Sequence, residues 1–199
     1  MNYYFNENKF NELEKSRKNN LFTYQIKKYM LLNLNLLTKK DGSDFANITK
    51  CFDIENLKTL LSKKYNVSYL YLTVSDYNFE INYGIDNLQG VLYIRRRVYF
   101  DEIKSQEEKQ KKEYKKHGGG WLREYYNNNT TEEIRDEILS LIEQMDIYIK
   151  REQQTIKQLP TLKRETQKYI KSLNENLIND FDTIYNKSFW ASEIKELIS

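Results

Sequence analysis

Tyr93, Arg95, Arg97 and Tyr99 occupy every second position of the run Val91-Leu92-Tyr93-Ile94-Arg95-Arg96-Arg97-Val98-Tyr99-Phe100. Side chains two apart on a strand share a face, so these four line one side and Leu92, Ile94, Val98 and Phe100 the other. Phenol rings beside guanidinium groups can stack bases and neutralise phosphate. They equally anchor protein partners, because Tyr and Arg dominate interface hot spots. Tyr69 and Tyr71 extend the same aromatic face on an earlier strand, opposite Leu70, Leu72 and Val74. Arg96 falls on the apolar side of a regular strand, and is expected to pair with a carboxylate there or to be turned outward by a bulge.

Other reactive groups are scarce. The chain has one His, His117, and one Cys, Cys51. No internal disulfide and no Cys/His zinc site can form, and histidine catalysis would rest on His117 alone. Cys51 reads as a small core hydrophobe. His117-Gly118-Gly119-Gly120-Trp121 resembles the oxyanion-hole HGGG motif of lipase-like α/β-hydrolases. The nucleophile elbow and the later His which that chemistry needs are both missing, so the segment reads as a hinge. Its exposed N–H groups could touch a phosphate. Asp86, Glu102 and Lys104 resemble the acid and Lys spacing of Mg²⁺-dependent nucleases, where two acids hold the metal and the Lys assists the water. Here Glu102-Ile103-Lys104 falls at the end of a strand, where charge is ordinarily a solvated face.

The elements that must position these residues follow from periodicity. A polar helix is expected over 7–19, and Phe22, Ile26, Met30 and Leu37 continue at helical spacing to about Leu37. A short helix over Phe45–Phe52 and a helix N-capped by Asp53, carrying Leu57, Leu60 and Leu61, come next. From Val67 the period changes to two. Val67–Val74, Asn78–Tyr83 and Val91–Phe100 predict an antiparallel meander, joined by a turn at 75–77 and a longer loop over 84–90. Phe79, Ile81 and Tyr83 alternate with Asn78, Glu80 and Asn82, giving one dry face and one wet face.

Residues 101–116 are polar and charged. Thr130 with Glu133 then fits a capping box, opening a stripe of Ile134, Ile138, Leu141, Met145 and Tyr148. Pro160 is expected to end that helix, and Leu162, Tyr169, Leu173, Leu177, Phe181 and Ile184 to form a second one. The expected fold is α+β: N-terminal helices packed on a three-stranded antiparallel β-meander, followed by a long C-terminal antiparallel helical hairpin. The expected divisions are a helix-plus-meander module over 1–100, a charged connector with a Gly-rich hinge over 101–129, and the hairpin over 130–199.

Composition narrows the function classes. The 199 residues carry a net charge of +3, too small by itself to imply a polyanion partner. The balance is nonetheless uneven, +5 over 1–100 and −2 over 101–199. Met1–Phe10 lacks an apolar signal-peptide core, and the longest apolar stretch, Tyr29–Leu37, is broken by Asn33 and Asn35. No membrane association and a cytoplasmic location are expected. Lys-, Asn-, Ile- and Tyr-rich composition with only two Ala points to an AT-rich source. These features together predict a non-enzymatic binding protein of a phage or mobile element, without cofactor or metal. It would act on a nucleic acid or nucleoprotein complex as a regulator, or as an inhibitor of host defence of the anti-CRISPR type.

The predicted binding residues are Tyr93, Arg95, Arg97, Tyr99, Tyr69 and Tyr71, with Lys58, Lys63 and Lys64 as a basic rim. The hairpin offers a homodimer contact. Two alternatives stay open. The order of helices and hairpin over 21–83 matches a winged-helix DNA-binding factor, with Lys58, Lys63 and Lys64 on the recognition helix. The acid and Lys set would instead make a Mg²⁺-dependent nuclease.

Overall fold

The computed structural model describes residues 2–37, 52–75, 78–95, 131–175 and 190–199. The elements are α1 (Glu7–Asn33), α2 (Ile54–Ser62), β1 (Val67–Val74), β2 (Asn78–Ile85), β3 (Leu88–Arg95), α3 (Thr131–Asn174) and α4 (Ala191–Glu196). The fold is mixed α+β: N-terminal helices, a three-stranded antiparallel sheet in the order β1-β2-β3, then a long C-terminal helix. The chain divides into two compact units, Met1–Tyr24 with Ile147–Ser199, and Gln25–Asp146. The expected connector over 101–129, Thr130 and all but Phe52 of the short helix expected over Phe45–Phe52 lie outside the described residues.

The unit Gln25–Asp146 carries the sheet. Alternation along β2 buries Phe79, Ile81 and Tyr83 while Asn78, Glu80 and Asn82 stay half-buried on the other side. Leu70, Leu92 and Ile94 add to the dry face, and Phe52 meets Phe79 edge-on at 5.2 Å. α2 forms because Asp53 Oδ1 accepts the Asn56 N–H at 3.1 Å. Its Leu57 and Leu61 are fully buried, and it packs on β1. Ile26, Met30 and Leu31 of α1, and Leu34 just after it, are buried as well. The apolar pattern expected to run helically to Leu37 stops being helix at Asn33, and Leu36 instead bridges Phe52 in extended form.

The loop expected over 84–90 is a tight hairpin. Ile85 pairs with Leu88, leaving Asp86 and Asn87 as the turn, with Asp86 at φ +52°. Asp tolerates that left-handed conformation, and here it is tied down twice. Its N–H donates to the Asn66 carbonyl at 2.7 Å, and its carboxylate accepts the Asn66 N–H at 2.9 Å.

The other unit corrects the helix end expected at Pro160, while Leu177, Phe181 and Ile184 of the expected second helix lie outside the described residues. α3 is one helix of 44 residues and passes straight through Pro160. An interior Pro costs about 3 kcal/mol through the lost N–H and a clash with the preceding turn. Pro160 sits on the exposed side, whereas Leu159 and Leu162 beside it are buried with Phe10, Trp190, Ile194 and Leu197. Burying that flank at about 1.5–3 kcal/mol per large apolar side chain outweighs the break. The antiparallel partner of α3 in this unit is α1. Lys163 pairs with Glu7 at 2.7 Å and Arg17 with Glu152 at 3.5 Å, so the two helices run in opposite directions there.

Candidate binding face on the sheet

Register builds the site. Tyr71 stands opposite Asn82, which stands opposite Val91; Thr73 is opposite Glu80, and Glu80 opposite Tyr93. Asn78 pairs with Arg95, and Tyr69 with Gly84. Because partners across an antiparallel pair share a face, Tyr69, Tyr71, Tyr93 and Arg95 lie on one side of the sheet. That side is open: Tyr71 is 50% exposed and Tyr93 53%.

Local features hold this surface in shape. The β1–β2 register shifts between Val67 and Tyr69, a bulge that sets Ser68 and Tyr69 against Gly84. Ser68 Oγ donates to the Gly84 carbonyl at 3.1 Å. A Cβ on Gly84 would sit 2.3 Å from Ser68 Oγ and 2.5 Å from the Tyr69 ring. Gly84 is therefore the floor on which Tyr69 lies, and the Tyr69 ring in turn meets Tyr71 at 5.9 Å. On the dry side Tyr83 covers Gly90, where a Cβ would come within 2.6 Å of the phenol oxygen.

The structure brings Tyr69, Tyr71, Tyr93 and Arg95 together, while Arg96, Arg97 and Tyr99 lie outside the described residues. Lys58 is half-buried on α2, and Lys63 and Lys64 form its exposed C-terminal turn. The Lys64 ammonium lies 4.4 Å above the Tyr29 ring, a cation–π contact within the helical layer. Three further residues of this face, Thr73, Glu80 and Asn82, are absent from the binding set predicted from sequence. The signal was present, since strict alternation puts Glu80 and Asn82 on the wet side of the middle strand.

The metal-site candidate is only partly described. Asp86 is engaged by Asn66, and Glu102 and Lys104 lie outside the described residues. Among the described residues no group of three or more His, Cys, Asp or Glu is placed to hold a metal ion. No described helix is long and apolar enough to cross a membrane. No protein-family model, curated protein or solved structure matches this chain.

Proposed function

We propose that this chain is a non-enzymatic binding protein that engages a nucleic acid or nucleoprotein complex through the outer face of its sheet. The observation that carries this reading is the placement of Tyr69, Tyr71, Tyr93 and Arg95 on one face, with Tyr71 and Tyr93 half exposed. Tyr and Arg are the residues that concentrate binding energy at interfaces. A role as regulator or as inhibitor of host defence, in a phage or mobile element, fits the small size and AT-rich composition.

The winged-helix alternative is weaker on charge. Recognition helices contact base edges with their N-terminal residues, and α2 begins with Asp53 and Glu55, acids that phosphate repels. The test compares tagged wild type with Arg95→Glu/Arg97→Glu in capture from an extract of the source organism, with and without nuclease. Loss of the captured complex with unchanged circular dichroism is the expected result, at least about 30-fold in affinity for a hot-spot pair. Full retention by the double variant overturns the reading.

A further inference from the structure

The middle strand of the face, β2, carries its polar side chains between the two outer strands. Glu80 lies directly between Thr73 and Tyr93, and Asn82 between Tyr71 and Val91. Tyr71 and Tyr93 therefore flank a strip of carboxylate and carboxamide diagonally, two strand spacings across and two residues along, about 12 Å apart between their backbone positions. The strip is organised. Asn82 Nδ2 donates to Thr73 Oγ1 at 2.9 Å and to the Glu80 carbonyl at 3.3 Å. The Thr73 hydroxyl donates to Glu80 Oε2 at 3.3 Å, which orients the carboxylate.

No ion pair neutralises that carboxylate among the described residues. Arg95, the cation of the described face, stands opposite Asn78, one pair further along. A phosphate brought to Glu80 would meet a like charge. A guanidinium would meet an oriented carboxylate able to take it bidentately, with the Tyr93 ring beside it to stack on.

We propose that the face binds a protein partner through an arginine side chain seated on Glu80 and stacked against Tyr93. The inference rests on the outer face being the binding surface, and within that reading it assigns the protein component of the complex. Lys is the poorer fit, because its point charge neither forks onto a carboxylate nor stacks on a ring as Arg does.

The experiment titrates full-length ¹⁵N-labelled protein with three probes: N-acetyl-arginine amide, its neutral isostere N-acetyl-citrulline amide, and a dT20 oligonucleotide. Amide shifts at Thr73, Glu80, Asn82 and Tyr93 with the arginine probe alone are expected. Glu80→Gln, which keeps shape and removes charge, should weaken that response at least ten-fold. Shifts of the same amides by dT20 overturn the inference while leaving the face as a binding surface. Absence of any response to the arginine probe overturns it as well. The underlying reading falls separately, if Tyr71→Ala/Tyr93→Ala captures the same complex as wild type from the extract.

Discussion

Tyr83 and Tyr93 are two of 17 tyrosines, alike in sequence and opposite in physics. Tyr93 is half exposed and free to meet a partner, whereas Tyr83 is 1% exposed beneath the sheet. Burial, and secondarily the charge of Tyr69, pushes the Tyr83 phenol up to about 12. A native pKa above the ordinary value of 10 means that the folded state holds its proton when the unfolded chain gives it up. The associated stability is complete below pH 10 and is lost as pH rises towards 12. A thermal midpoint that falls across this window, with a shallower fall in Tyr83→Phe, is the expected result of a pH series. Both tyrosines could be assigned to their sides from alternation alone. The depth of Tyr83 could not, because it depends on what the rest of the fold packs against that same side of the sheet.

The glycines and the proline show where element-level reading succeeds and fails. The strand Val67–Val74 was legible in full, since eight residues of period-two pattern admit no helix. Gly84 and Gly90 suggested a long loop, yet both lie inside strands. They are glycine because the rings of Tyr69 and Tyr83 lie where a Cβ would be, and the turn itself belongs to Asp86 and Asn87. Pro160 suggested a helix end for a sound local reason, and burial of its neighbours overrode it. A continuous helix predicts that Pro160→Ala raises the unfolding free energy, by up to about 3 kcal/mol, since an exposed interior Pro is the worst helix former. Chemical denaturation checks this. A turn at Pro160 would make the same substitution neutral or destabilising.

At the scale of the whole chain, the two ends are joined. Tyr4 and Ser199 exchange backbone hydrogen bonds of 2.8 and 3.0 Å, and Phe5 bridges Ile198. Asn6 then donates to the Leu197 carbonyl and caps α1 through its side chain, which accepts the Lys9 N–H. Leu197, 2% exposed, closes the core of Phe10, Leu159, Leu162, Trp190 and Ile194. Leu197→Ala is therefore expected to cost about 2–5 kcal/mol, although only Ile198 and Ser199 follow it in the sequence. A urea titration measures the loss, and a change within 0.5 kcal/mol would contradict the packing. The sequence by itself determined the α+β class, the meander, the cap at Asp53 and the face shared by Tyr69, Tyr71, Tyr93 and Arg95. Those features follow from periods of two and 3.6 and from bonds between near neighbours. Only the tertiary structure decided that α3 runs unbroken with α1 as its antiparallel partner, that the ends of the chain meet, and that the Tyr face stays open around Glu80. Each of these depends on which distant apolar surfaces bury one another, and no local pattern encodes that choice.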